Sequence, residues 1–253
     1  MMKLFDTHCH YEDPSFDEDR DEQIEALRNT DVRHILNCCS DESVFDTVLD
    51  IAHRHDFAYC SLGIHPHWCL SASDDYLVKI SKAAEDEKVR AIGEIGLDYY
   101  FDEPPEVQKQ LFEQQLQLAC DLNMPVIIHD RLAHEDVMEI LKKYQPKGIL
   151  HRYGGPLEIL QPALKWGMYV SINTDITQPY WLKKHSDILF GVPIEQLLVE
   201  TDAPYAPVYG SKRERAQADD VYFALEKVAE YRHIDLNELA AVVYESALEA
   251  YGL

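Results

Sequence analysis

The chain is short of positive charge. Against 46 Asp and Glu it carries only 23 Lys and Arg, a formal net charge of −23 over 253 residues. That deficit opposes non-specific adhesion to nucleic acid or to an anionic membrane, because both rest on Lys and Arg neutralising phosphates. Other absences narrow the field further. The six cysteines include no CxxC pair, and Cys38 and Cys39 are adjacent, so neither a zinc ribbon nor a disulfide framework is indicated. They read as buried reduced thiols. No segment approaches the roughly 18 apolar residues of a membrane span, and the opening "MMKLFDTHCHYEDPSFDEDRD" lacks the apolar core of a signal peptide. The expectation is a soluble, cytoplasmic protein with no membrane partner and no obligate protein partner. No Gly/Ser linker or low-complexity tract divides the chain, which points to one domain over residues 1–253. Neither a GxSxG nucleophile motif nor a glycine-rich phosphate loop occurs, so a metal-activated water is the economical nucleophile.

What is present is a regular alternation of short β-rich runs and amphipathic stretches. The runs are "KLFD" (from Lys3), "RHILNCC" (Arg33), "AYCSLGI" (Ala58), "VRAIGEIG" (Val89), "PVIIH" (Pro125), "GILHR" (Gly148), "YVSIN" (Tyr169) and "LLVETD" (Leu197). Between them lie helical patterns such as "EVQKQLFEQQLQLACDL" and "HEDVMEILKKY". Eight strands each followed by a helix, in about 250 residues, predict an α/β fold of the (β/α)8 TIM-barrel type. The end of the chain predicts two consecutive helices separated by "HID", the second starting at an Asp cap.

A barrel mounts its chemistry where strands end and βα loops begin. His8 and His10 end the first run, and on an extended strand they project to one side about 6.5 Å apart while Cys9 turns into packing. His65 and His67 follow the third run and Glu94 ends the fourth. His129, His151 and Asp202 end the fifth, sixth and eighth. One such histidine is ordinarily a core residue or a cap. Five strands delivering imidazoles and carboxylates to one rim point instead to a metal centre. The set suits zinc, manganese or iron better than magnesium, which prefers more oxygen. Glu94, central in strand order, is placed to bridge two ions, and a two-metal centre activates water and clamps both oxygens of a phosphoryl or acyl displacement. The expected cofactor is a pair of divalent ions, with zinc, manganese and magnesium all left open as their identity.

Six segments, "DTHCH", "GIHPH", "GEIGLDYY", "VIIHDR", "ILHRYGG" and "ETDAPY", occur in the order and spacing that resemble the TatD family of metal-dependent hydrolases. The resemblance runs over essentially the whole chain. It implies a barrel of the amidohydrolase type and an activity of the deoxyribonuclease kind, with DNA or a small phosphodiester as substrate. Some members are other phosphodiesterases or act on aminoacyl-tRNA. Position by position it implies His8, His10, Glu94 and Asp202 around one metal and Glu94, His129 and His151 around the second. Glu94 and Asp202 are then the catalytic carboxylates, with Asp202 also orienting the water or taking its proton. By the same resemblance His65 and Arg131 hold the substrate phosphate, the planar fork of Arg131 suiting phosphate oxygens. The alternative for Arg131 is a salt bridge at a helix start. His67 reads as a structural loop residue, and Tyr99 and Tyr100 as rim packing.

The chain departs from the family pattern at "HRYGG", where Arg152 and Tyr153 replace a cysteine and a phenylalanine, at "RERAQADD", and at Ser246. These departures are expected to leave the metal ligands untouched and to bear on substrate choice. Two other activities fit a barrel with this rim: hydrolysis of a small ester, amide, lactone or phosphate ester, and a catalytically silent scaffold. The second would be favoured by a missing ligand, and none is missing. A phosphotriesterase-like centre would carry a lysine where Glu94 stands, and a histidinol-phosphatase-type barrel would follow its HxH with Ser-Asp-Gly instead of "YEDPSF". The basic stretch "SKRER", with Lys212, Arg213 and Arg215, is expected on the mouth, where it would guide DNA against the overall negative field.

Overall fold

The computed structural model describes residues 2–253; Met1, the first residue of the expected 1–253 unit, lies outside the described residues. Eight parallel strands form one sheet in sequence order: β1 (Leu4–Cys9), β2 (Val32–Cys38), β3 (Ala58–Leu62), β4 (Val89–Asp98), β5 (Val126–Arg131), β6 (Gly148–Leu150), β7 (Tyr169–Ile172) and β8 (Leu197–Val199). Around them run α1 (Arg20–Ala26), α2 (Phe45–Arg54), α3 (Tyr76–Ala83), α4 (Pro105–Leu122), α5 (His134–Tyr144), α6 (Leu157–Lys165), α7 (Trp181–Gly191), α8 (Val221–Arg232) and α9 (Leu236–Tyr251). The architecture is the expected (β/α)8 barrel. The two final helices also follow expectation, with the Asp235 carboxylate accepting from the backbone N–H groups of Asn237 and Glu238. Among the described residues no helix is long and apolar enough to cross a membrane.

The sheet curls until its first and last strands meet. Cys9 and Ala203 form a parallel bridge, and the Asp202 N–H donates to the His8 carbonyl at 2.9 Å. The seam is tied by a buried carboxylate, Asp6, which accepts from both the backbone N–H (2.8 Å) and the hydroxyl (2.6 Å) of Thr201. Thr7 Oγ1 adds a bond to the Val199 carbonyl. At the strand starts, inward-facing Phe5, Leu36, Ala91, Ile127, Ile149 and Leu198 meet Tyr244, Ala247 and Tyr251 of α9 in one buried apolar cluster. The last helix thus plugs the end of the barrel opposite the ligand-bearing rim.

Along several strands the inward face changes from apolar to polar in steps of two: Leu36 then Cys38, Ile127 then His129 and Arg131, Ile149 then His151, Leu198 then Glu200 and Asp202. Two strands break that parity. β1 carries a register shift between Asp6 and Cys9, and β4 one between Ile92 and Ile95. Such irregularities re-aim side chains beside sites, and here they lie next to His8 and Glu94. β6 and β8 are also shorter than their sequence runs, so His151, Arg152 and Asp202 stand just beyond the ladder. Arg152 and Asp202 take left-handed backbone angles, φ 43° and 61°.

Register between β4 and β5 depends on one glycine. Gly96 pairs with His129 and has φ 149°, and a Cβ built there would lie 2.0 Å from the His129 carbonyl oxygen. Gly96→Ala is expected to cost about 2–4 kcal/mol of folding stability, read from urea unfolding, whereas a change under about 0.5 kcal/mol would mean the ladder can yield.

Candidate metal centre

Six of the sequence-predicted residues, His8, His10, Glu94, His129, His151 and Asp202, converge at the C-terminal mouth. Five of them are buried and His129 is partly so. The Nε2 atoms of His8 and His10 are 2.9 Å apart. Glu94 Oε2 lies 3.4 and 3.6 Å from them and Asp202 Oδ1 3.8 and 3.7 Å. Four donors at 2.0–2.2 Å from one tetrahedral ion would stand roughly 3.3–3.6 Å from one another, so the carboxylate oxygens lie near that spacing while the two imidazole nitrogens stand closer together. The other oxygen of the same carboxylate, Glu94 Oε1, faces a second set: His129 Nδ1 at 2.7 Å and His151 Nε2 at 2.8 Å, themselves 3.3 Å apart.

The outer nitrogens decide which ring atoms are free to coordinate. His10 Nδ1–H donates to the Cys38 carbonyl (2.9 Å) and to Glu12 Oε1 (3.1 Å). His151 Nδ1 faces Glu200 Oε1 at 3.3 Å, His129 Nε2 faces Asp98 Oδ2 at 2.9 Å, and His8 Nδ1 faces the Cys38 thiol at 3.2 Å. Holding the outer N–H leaves the inner nitrogen of each ring with its lone pair directed into the cluster, the arrangement that orients metal-ligating histidines. The residues therefore fit divalent ions. None of Glu12, Asp98, Glu200 and Cys38 is singled out by the sequence reading. Three of them carried only a signal in even spacing: Asp98 is four residues after Glu94 on β4, while Glu12, two after His10, and Glu200, two before Asp202, lie just beyond β1 and β8.

His65 is placed differently. Its Nδ1 accepts the His67 backbone N–H at 3.1 Å, so in the neutral ring the proton sits on Nε2, 3.8 Å from Glu94 Oε1. Burial, followed by the neighbouring His129, holds His65 well below the usual histidine range. It faces the site as a neutral hydrogen-bond donor. Arg131 makes no salt bridge at a helix start among the described residues; its guanidinium stacks 3.8 Å from the centre of the Tyr100 ring. Tyr100 is accordingly an exposed shelf for Arg131, while Tyr99 packs and bonds to Asp136 at 2.5 Å. His67 pairs with Glu103 at 3.1 Å and packs on Phe101, as a loop-building residue would. His65, His67 and Arg131 border a cavity of about 870 Å³ that also includes Trp68, Phe101 and Tyr205.

Cys120 is exposed, against the expectation of six buried thiols, and two further expectations need correction. The "SKRER" stretch does not present three free cations. Arg213 forks onto Asp219 and Asp220 at 2.6–2.9 Å. Arg215 grips both oxygens of Asp19 at 2.5 Å and lies over the Phe16 ring. Nearby carboxylates bind two of the three charges, and a linear reading cannot see partners that lie up to 196 residues away. The second correction concerns Arg152, one of the departures expected to leave the metal ligands untouched. Its Nη1 donates to Asp202 Oδ2 at 2.7 Å.

Charge within the cluster is mutually balanced. Burial disfavours both ionised carboxylates, yet His151 and His8 hold Glu94 well below the usual range, and Arg152 and His151 lower Asp202. Burial also opposes protonated imidazoles, but Glu12 pushes His10 up to about 10, and Glu94 with Glu200 raises His151 well above its ordinary value. For His8 burial and the neighbouring His151 act together and lower it.

An imidazole–carboxylate cluster at the mouth of a (β/α)8 barrel is the setting of a metal-dependent hydrolase. Comparison with known proteins agrees. The family model described as TatD related DNase matches residues 5–252. The chain is 33% identical to the Bacillus subtilis (strain 168) protein named uncharacterized metal-dependent hydrolase YabD, over 99% of both chains. It is 30% identical to the 3'-5' ssDNA/RNA exonuclease TatD of Erwinia tasmaniensis, over 99% of this chain and 100% of that one. The crystal structure of the Escherichia coli TatD homologue YjjV superposes with a TM-score of 0.91 at 28% identity, covering 99% of this chain and 98% of that one. The chain belongs to the TatD-related DNase family.

Carboxylates around metal-free His10 and His151 favour their protonated forms and only neutral imidazole coordinates, so a divalent ion entering this cluster has protons to displace. Zn²⁺ uptake is therefore expected to release protons, measured as a calorimetric enthalpy that varies with the ionisation enthalpy of the buffer. Affinity should fall as pH is lowered from 8 to 6. An enthalpy independent of buffer would show that these histidines are already neutral.

Proposed function

We propose that the chain is a metal-dependent nuclease that hydrolyses phosphodiester bonds in DNA, acting from an end, with two divalent ions at the barrel mouth. His8, His10, Glu94 and Asp202 hold one ion, and Glu94, His129 and His151 hold the other. The observation that carries this reading is the division of Glu94: Oε2 faces the His8 and His10 nitrogens while Oε1 faces His129 and His151. When bound, the ions supply Lewis acidity and make water a competent nucleophile near neutral pH.

The chain's own groups do the rest. His65 donates its Nε2–H to a non-bridging phosphate oxygen, and Arg131, braced on Tyr100, offers its fork to another. Asp202 orients the attacking water and takes its proton. The exposed aromatic rings of Trp68, Phe101 and Tyr205 around the cavity suit stacking with unstacked bases, which favours a single-stranded end over a duplex. Pairing of the "SKRER" arginines favours a second reading, a small phosphodiester as substrate, because it removes the backbone-tracking cations that a long polyanion needs.

The test is a parallel assay of chelator-stripped and Zn²⁺- or Mn²⁺-reloaded protein on single-stranded DNA, duplex DNA, RNA and small phosphodiesters. Two ions per chain and cleavage that returns with metal are expected. Glu94→Ala should bind at most one ion, and Glu94→Ala and Asp202→Ala should each lower turnover about a thousandfold while melting near the parent. Hydrolysis of a carboxylic ester or amide with no phosphodiester cleaved under either metal would overturn the reading, and strong activity on a small phosphodiester with none on oligonucleotides would select the second.

A further inference from the structure

Asp202 presents its two oxygens to different surroundings. Oδ1 stands 3.8 and 3.7 Å from the inner nitrogens of His8 and His10, whereas Oδ2 accepts from Arg152 Nη1 at 2.7 Å. The other arm of the same guanidinium, Nη2, bonds to Asp175 Oδ2 at 2.6 Å. Asp175 is itself held, its N–H donating to Asn173 Oδ1 at 3.2 Å in the turn that follows β7. The backbone of Arg152 is fixed as well: its N–H donates to Ser171 Oγ on β7 at 3.2 Å, with φ at 43°. The guanidinium thus spans three successive strand ends, rooted after β6, braced after β7 and gripping the carboxylate after β8.

From this geometry we propose that Arg152 is a positioning residue for the reaction, clamping Asp202 so that a single carboxylate oxygen faces the His8/His10 pocket. A carboxylate turns readily about its last side-chain bond, because that torsion is broad. Free to turn, Asp202 would offer both oxygens to one ion. The Arg152 bond holds Oδ2 outside the pocket, and Asp175 keeps the guanidinium from following the carboxylate inward. A lysine at this position has a single ammonium without the planar fork, so it cannot serve both carboxylates in the same way.

The inference rests on the metal-site reading above, and its test separates the two. Co²⁺ is loaded into the parent, Arg152→Ala, Arg152→Lys and Asp175→Asn proteins, and the visible d–d spectrum and Co²⁺ affinity are recorded. Turnover of bis(p-nitrophenyl) phosphate and thermal melting are measured alongside. Arg152→Ala is expected to change the spectrum toward higher coordination and to lower kcat about ten- to a hundredfold with little change in KM, the scale for groups that orient metal ligands. Asp175→Asn should move both readouts in the same direction by less, Arg152→Lys should recover only part of the loss, and millimolar guanidinium should partly restore Arg152→Ala. An unchanged spectrum with raised KM would overturn the clamp and make Arg152 a substrate contact. Loss of activity that tracks melting in all three variants, with the parent spectrum kept, would reduce it to a structural residue. Failure of the parent protein to bind Co²⁺ would overturn the metal-site reading and the clamp together.

Discussion

Everything at the mouth depends on the seam between the first strand and the last. His8 and His10 come from residues at the start of the chain and Asp202 from its final quarter, and they meet only because β1 closes on β8. The fastening is polar: the Asp6 carboxylate takes the N–H and the hydroxyl of Thr201 in a fully buried position. Burial raises the Asp6 carboxyl well above the usual range even as the Thr201 bonds favour its charge. A buried acceptor left without these donors would be strongly destabilising, whereas the apolar contacts around it would tolerate displacement more readily. The bond therefore sets the register of the seam, and the register sets the distance between the two histidines and Asp202.

Within the mouth, electrostatics explains how a strongly acidic protein can concentrate six ionisable groups in a small buried volume. Each carboxylate is compensated by imidazoles, and His8, His10, His129 and His151 are each held from behind by an acceptor or a thiol. The surplus of negative charge over the whole chain helps to draw a divalent cation in and opposes a polyanion. Against that field the mouth sets Arg131, standing on an aromatic ring, and Arg152, already committed to two carboxylates. The positive charge bordering the cavity is thus local and short in range.

The fold was legible because its signals are periodic. Eight apolar runs at barrel spacing and the Asp235 cap required no knowledge of partners. The convergence of ligand types on one rim was legible for the same reason, since strand ends in a parallel barrel share a side. Three things were not. The register shifts in β1 and β4 alter which residues face inward, and simple alternation misses them. The outer partners Glu12, Asp98 and Glu200 stand at even spacing from the ligand candidates, but that spacing does not tell them from surface acids until the histidines are placed beside them. Arg213 and Arg215 read as a basic patch because the carboxylates that neutralise them are supplied by the turns before α8 and α1.

Arginine illustrates the general point. Arg131 at the end of β5 and Arg152, Arg213 and Arg215 in loops all lie at the same end of the barrel, and composition treats them alike. Arg213 and Arg215 are bound to acids outside the ligand cluster and serve to fasten loops. Arg131 has no carboxylate partner among the described residues and keeps its fork toward the cavity. Arg152 is paired as tightly as the loop arginines, yet one of its partners is Asp202, so its pairing reaches into the imidazole–carboxylate cluster. A positive charge at a site mouth can therefore attract substrate, fasten a loop or set the orientation of a ligand, and its partner determines which.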